Sequence, residues 1–465
     1  MQLGDILDDL TLDVATGSIE ITRVDIDSRE CEFGSLFFTM ATHPDAARAN
    51  ALDAVGRGAL CVVSSAPLSI AAPVVTVPSS QMQALCAHAS AVIVRHPEDH
   101  VQLVGVTGTN GKTTVTTLVS ELANAIGWNA ANIGTMTNVR TTPASPELFR
   151  TLASLVVRFD DVRRHSVVSL EVSSHAIDQR RIEGLRFAVA CFTNLSHDHL
   201  DYHESMESYF ATKARLFTTE FAHRAVIWTD DPYGERLVDM TSLPVTTVSR
   251  LDASDVVSTL RGTTFFWRGH LVNSALAGGY NVDNTLLAMT ILSELGADDA
   301  AVASAMSGVT RVTGRFDVVE GRGLTVVVDY AHTPEGLRRL LGDVRELVPR
   351  GRVITVFGCG GDRDRTKRPE MGLIASEESD ITYVTSDNPR SEPPDAIIDA
   401  IMSGVLASAV VHRVVDRREA ITRALDDAEP GDVVVVAGKG HETTMTIGDT
   451  VVEFNDRAVA QELLR

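Results

Sequence analysis

The chain has 465 residues, with 62 Asp or Glu against 41 Lys or Arg and a formal net charge of −21 at pH 7. That balance argues against nucleic acid or an anionic membrane as a main partner. Hydrophobic content of 44% and charged content of 22% are those of an ordinary globular chain, long enough for about three domains with separate cores.

Residues 1–98 alternate short β-like runs (Ile19–Thr22, Ser35–Phe38, Leu60–Val63, Val74–Val77) with Ala-rich helical stretches. They predict a small α/β module, with His96-Pro-Glu-Asp-His100 as its exit linker. The five cysteines (31, 61, 86, 191, 359) have neither metal nor redox spacing and are expected to be reduced core residues of a cytoplasmic protein. No leader-like start and no bilayer-length apolar run is present, so no membrane insertion is expected.

Residues 99–311 open on the most telling stretch. Leu103–Thr107 reads as a buried strand, Gly108-Thr109-Asn110-Gly111 as a turn, and Lys112-Thr113-Thr114 begins a helical pattern that runs to Ile126. Strand, glycine turn and helix N-terminus make an anion cradle of unpaired amides at the positive end of a helix dipole. Lys112 can reach terminal phosphates and the Thr113 hydroxyl can sit on Mg²⁺. The common P-loop spacing would need glycine where Val106 stands. A chance surface turn would need neither the strand nor the helix, so the stretch is read as a nucleoside triphosphate site.

Further strands are expected near Val167–Glu171 and Val189–Thr193, giving a mainly parallel sheet. Glu171 stands at a strand end, close to where a nucleotide-bound metal is held. Asn194-Leu-Ser-His-Asp-His-Leu-Asp-Tyr-His203 packs three imidazoles and two carboxylates into ten residues. It could be a polar capping loop, but its density after a strand favours a metal or phosphate role. Lys213 has no distinguishing spacing and reads as a solvated helix lysine. A helix is expected from Gly278 to Leu295.

Residues 312–465 follow Val312-Thr-Gly-Arg-Phe316 with strands at Leu324–Asp329, Val353–Phe357, Ile381–Thr385, Val410–Val414 and Asp432–Ala437, a doubly wound pattern. Polar clusters fall at the strand ends, where such folds bind ligands: Asp329-Tyr-Ala-His, Gly358-Cys-Gly-Gly-Asp-Arg-Asp, Asp387-Asn-Pro-Arg and Gly438-Lys-Gly-His-Glu442. The fold class is therefore α/β with three units: a small N-terminal module, a central P-loop ATPase domain, and a Rossmann-like C-terminal domain.

The P-loop, the Glu171 stretch, the His/Asp loop, Tyr280-Asn-Val-Asp-Asn284, Thr-Gly-Arg315-Phe and the four C-terminal clusters occur in an order that resembles the Mur ligases, densely from residue 100 onwards. The resemblance is closest to the members that form the UDP-linked tripeptide. It implies ATP-driven joining of UDP-N-acetylmuramoyl-L-alanyl-D-glutamate to an amino acid by a monomeric enzyme. It also implies roles by position. Gly108 to Thr114, with Asn281 or Asn284, Arg315 and Asp329, would meet ATP. Thr113 and Glu171 would hold one Mg²⁺ and His199 a second metal, while Lys213, carbamylated in the family, would position Mg²⁺. Thr141, Thr142, Ser173, Gln179 and Arg181 would hold the sugar-peptide.

Asp387-Asn388-Pro389-Arg390 resembles the signature of members that add meso-diaminopimelate; lysine-adding relatives generally lack the arginine. A guanidinium suits the distal carboxylate of that amino acid. Arg363, Gly438 and Glu442 would complete the pocket. Asp27-Ser28-Arg29 fits the family's uridine-binding module, with Ser28 and His43 as contacts. There the chain departs from the pattern, reading Thr39–Asn50 where relatives carry a Gly-rich stretch with Asp-Gly. The same ligation with L-lysine, and an acid–amine ligase with another acceptor, are the competing activities.

Overall fold

The computed structural model describes residues 1–8, 10–137, 140–159, 165–309 and 311–465. Its first sheet is fully parallel: β1 (Arg23–Asp25), β2 (Ser35–Phe38), β3 (Ala59–Ser64) and β4 (Val74–Thr76), in that spatial order. The first strand lies later than the alternation at Ile19–Thr22 predicts. Ile21 is buried as that pattern requires, but its amide donates to Met1 O (2.9 Å), and Glu20 makes only an isolated bridge with Gln2. The apolar signal was about burial, and the ladder begins where backbone partners become available. Pro97–His100 forms a 3₁₀ turn before the next sheet.

The central sheet holds β5 (Gln102–Thr107), β6 (Asn129–Ile133), β7 (Ser166–Glu171), β8 (Val189–Phe192), β9 (Ala225–Trp228) and β10 (Val245–Val248). Their order is β10-β9-β8-β5-β7-β6 and every pairing is parallel. A strand buried on both faces reads as a continuous apolar run, which is why β5 was plain in the sequence. Val104 and Val106 pack with the helices Lys112–Ala125 and Gly279–Glu294, and Leu103 faces the opposite core. An antiparallel meander, β11 (Ala253–Thr259), β12 (Gly262–Trp267) and β13 (His270–Ser274), follows, with no counterpart among the strands expected from the sequence.

The third sheet holds β14 (Asp317–Gly321), β15 (Leu324–Asp329), β16 (Val353–Phe357), β17 (Ile381–Val384), β18 (Val411–Arg413) and β19 (Val433–Ala437), in the order β14-β15-β19-β16-β17-β18. Only the edge strand β14 is antiparallel. Alternate residues feed two cores: Val433, Val435 and Ala437 on one face, Val434 and Val436 on the other. This is the doubly wound arrangement. A hairpin, β20 (Thr444–Ile447) and β21 (Thr450–Glu453), precedes the helix Asp456–Leu463. All five cysteines are free and buried, and burial pushes the Cys86 thiol up to about 12. Among the described residues no helix is long and apolar enough to cross a membrane.

Candidate active site

β5 delivers Thr107 into the glycine turn. Gly108 (φ 149°) and Gly111 (φ 87°) take backbone angles closed to side chains, and a Cβ on either would run into Thr193 or Asn284. The loop is braced from β8: Asn194 Oδ1 accepts from Asn110 N (2.9 Å) and the Thr193 hydroxyl donates to Asn110 O (2.6 Å). Lys112 Nζ folds back onto the carbonyls of Gly108 (2.9 Å) and Thr109 (2.8 Å). Burial pushes its ammonium below the ordinary value. A phosphate in the loop offers it stronger, charged acceptors than these carbonyls.

Beside the loop, the Thr113 hydroxyl donates to Glu171 Oε2 (2.9 Å), and the Thr135 amide donates to Oε1 (2.8 Å). Arg315 Nη2 reaches Thr113 Oγ1 (3.1 Å) from beyond the central sheet, and its guanidinium stacks over Tyr330 at 4.5 Å. Lys213 is not the solvated lysine its spacing suggested. It is 1% exposed, with Nζ donating to Gly108 O (2.8 Å) and lying 4.7 Å from the Tyr209 ring centre. Burial, reinforced by Lys112, holds its pKa well below the usual lysine range. Burial likewise lowers the pKa of His199 and favours the neutral imidazole that can ligate a metal.

Two cavities meet at Asn110, Gly111, Arg315 and Tyr330. The larger, about 300 Å³, brings Thr109, Lys112, Thr113, Thr141, Glu171, Ser173, His199 and Lys213 to face Arg363, Asp387, Asn388, Arg390, Gly438 and Glu442. The second is lined by Thr114, Asn284 and Asp329. Asp329 accepts from the Tyr280 hydroxyl (2.9 Å) and the amides of Phe316 and Ala331 (both 2.7 Å).

On the far wall of the larger cavity, Glu442 Oε2 accepts from Lys439 Nζ (2.7 Å) and Asn388 Nδ2 (2.8 Å). Burial alone would raise the Glu442 pKa; Lys439, Asn388 and His441 together outweigh it and hold the carboxylate below its ordinary value. Burial raises Asp387, whose Oδ1 takes Asn388 Nδ2 at 3.0 Å. Arg390 sits at φ 52°, donates Nη1 to Gly361 O (2.7 Å), and pairs with the hairpin through its amide and Thr446 O (3.0 Å).

Some expected residues lie outside both cavities. Asn281 is wholly buried and donates to Ala277 O (2.7 Å), so of the two asparagines Asn284 alone faces a cavity; a helix-start bond claims the other. Thr142 is buried and donates to Glu171 O (2.8 Å). Arg181 donates to Thr142 O (3.0 Å) and grips Gln179 Oε1 (2.5 Å), so those two brace the rim. Pro389 turns away from the cavity, and Gly108 stands behind the loop as acceptor for both lysines. Ser28 opens a 3₁₀ turn in the N-terminal module beside Asp53, and the His43 side chain is 73% exposed near Asp45. Tyr330, His332, Asp364 and Lys367 line the larger cavity without having been singled out. Tyr330, His332 and Asp364 belong to the polar clusters at the strand ends; nothing in local spacing marks Lys367.

Residues 106–292 match the family described as Mur ligase middle domain, and residues 314–440 match Mur ligase, glutamate ligase domain. A protein of Gloeobacter violaceus named UDP-N-acetylmuramoyl-L-alanyl-D-glutamate--2,6-diaminopimelate ligase is 42% identical, over 96% of this chain and 94% of its own. One of the same name from Geobacillus kaustophilus is 40% identical, over 97% and 96%. A solved structure of a ligase with that name superposes with a TM-score of 0.68 at 31% identity, over 100% of this chain and 98% of that one. A folylpolyglutamate synthase from Mycobacterium tuberculosis complexed with ADP and AMPPCP shares the fold, with a TM-score of 0.60 at 19% identity over 76% of this chain and 91% of that one.

Proposed function

The chain belongs to the Mur ligase family, and from that premise we propose that it adds meso-diaminopimelate to UDP-N-acetylmuramoyl-L-alanyl-D-glutamate at the expense of ATP, in peptidoglycan synthesis. One observation carries the reading. A phosphate loop with Lys112 and Glu171 shares a single cavity with a wall that offers Arg390 and the carboxylates of Asp387 and Glu442. An ATP-activated carboxylate and an amino acid carrying charge at both ends fit those two walls. Residues 1–98, 99–311 and 312–465 then serve the UDP-sugar, ATP and the amino acid. Both nucleotide substrates belong to the cytoplasm.

A carboxylate is a poor electrophile, because it would have to expel oxide. In the proposed reaction a γ-carboxylate oxygen of the dipeptide attacks the γ-phosphorus of ATP and ADP leaves, forming an acyl phosphate. The diaminopimelate amine then attacks the acyl carbon, loses a proton, and the tetrahedral intermediate expels phosphate to leave the amide. The protein's work is positioning and charge neutralisation. Lys112 and the amides of 108–114 cradle the phosphates, Arg315 approaches them from the opposite side, and Asn284 and Asp329 line the adjoining nucleotide cavity. Thr141 and Ser173 face the dipeptide end, with Thr142, Gln179 and Arg181 bracing the rim behind them, while Ser28 and His43 belong to the uridine end.

The residues also fit Mg²⁺, which needs only one or two protein carboxylates beside substrate phosphates. Thr113 and Glu171 would hold one ion and His199 a second, with Lys213 as its carbamate positioning Mg²⁺; the bare lysine amine supplies no anionic oxygen. When bound, the cation neutralises charge on the phosphates. Among the described residues no three His, Cys, Asp or Glu side chains form a metal cage.

Phosphate release from ATP with the UDP-dipeptide tests the reading directly, comparing meso-diaminopimelate, L-lysine and L-ornithine. Turnover with diaminopimelate alone is expected. Turnover with another of the three keeps the ligase and discards the Arg390 assignment, and no turnover with any overturns the acceptor.

A further inference from the structure

We propose that Arg417, paired with Asp456, is a positioning residue for the amino-acid pocket, a tie that fixes the spacing of its two loops and thereby its selectivity. The inference rests on the ligand assignment above and concerns residues outside that pocket.

Arg417 opens the helix Arg417–Asp427 and is 2% exposed. Its guanidinium makes four hydrogen bonds. Nε and Nη2 make a two-point contact with Asp456 (both 2.8 Å), Nη1 donates to Ser386 O (3.1 Å), and Nη2 also donates to Ala437 O (2.9 Å). Those carbonyls belong to the residues immediately before Asp387 and Gly438. In the sheet, β17 and β19 are not neighbours, because β16 lies between them and its last rungs are Phe357 with Val384 and with Ala437. Beyond those rungs Gly358 starts a loop of its own, and Arg417 links the outer two strands across it.

The spacing being held is tight. Gly438 (φ 114°) lies so close to Asp387 that a Cβ there would sit 2.7 Å from Asp387 Oδ2. The Asp456 side adds a second hold, since the neighbouring Asn455 Nδ2 donates to Glu442 O (3.1 Å). A buried ion pair is weak evidence for stability, because well-packed apolar residues usually do as well. What apolar residues cannot do is donate to two strand-end carbonyls at once. Both loops carry groups expected to meet the two charged ends of diaminopimelate, so their separation sets which amino acid fits.

Two variants test this. Arg417→Lys keeps the charge but cannot span both carbonyls. Arg417→Met with Asp456→Leu removes both charges and leaves neither orphaned. For each, KM values for the amino acid, ATP and the UDP-dipeptide are measured, with discrimination against L-lysine and the melting temperature. The expected result is a rise of about ten-fold or more in KM for diaminopimelate, with KM for ATP within about two-fold of wild type and reduced discrimination against L-lysine. Unchanged amino-acid KM in both variants overturns the proposal. So does a uniform shift of kcat and all three KM values that tracks a fall in melting temperature. If the wild-type enzyme uses a different amino acid, the ligand assignment falls, and the tie is judged on that amino acid's KM.

Discussion

Lys213→Ala reduces turnover by about a thousand-fold or more while leaving the fold intact. The expectation comes from the microenvironment of Nζ: wholly buried, beside Lys112, and held well below the ordinary lysine pKa. A neutral amine is the form that adds to CO₂, forming the N–C bond, releasing a proton and leaving a carboxylate on nitrogen. Carbamylation would turn this suppressed cation into an anion next to the phosphate loop, where a bare ammonium would oppose a metal. Removing dissolved CO₂ should lower wild-type activity and bicarbonate should restore it, while small carboxylates partly rescue the alanine variant. Near-normal rates in Lys213→Ala would sink the carbamate assignment.

Arg390→Ala raises the KM for meso-diaminopimelate by about 30- to 100-fold and changes the KM for ATP little. Among the described residues the one side-chain hydrogen bond of Arg390 goes from Nη1 to Gly361 O, which leaves the guanidinium face of the cavity for a carboxylate. Its backbone is fixed on both sides by the hairpin, through Thr446 O and the Gly448 amide (2.7 Å). Loss of the side chain therefore removes an anchor without freeing the loop. Steady-state kinetics with each substrate varied in turn check it; equal effects on both KM values would count against the role.

The parts of the molecule legible in the sequence share a physical cause. Buried central strands such as β5, β15 and β16 are nearly continuous apolar runs followed by glycine or polar clusters, and those clusters are the walls of the cavities. The meander β11–β13 is not legible because residue type and burial part company along it: Thr263 and Ser274 are buried while Phe266 and Leu271 are exposed, which hides the period of two. The hairpin β20–β21 is short and largely exposed. Lys213 could be singled out only through resemblance, since burial of a lysine is decided by packing remote in sequence. Arg417 and Lys367 were invisible for the same reason. The first is explained by carbonyls at 386 and 437, the second by His332 O (2.8 Å).

The position of β19 has a kinetic consequence. It is the last strand of its sheet in sequence yet lies inside it, where Thr325 and Val353 both pair with Val433. The sheet cannot close until that segment inserts between two strands made long before it, a non-local step that is slow to search for. In the central sheet the strand that enters between two earlier ones, β7, follows them much more closely in sequence. On refolding from denaturant, nucleotide binding should therefore return before diaminopimelate binding, as interrupted-refolding assays with each ligand would read. Simultaneous recovery would mean that β19 finds its slot as fast as the phosphate loop forms.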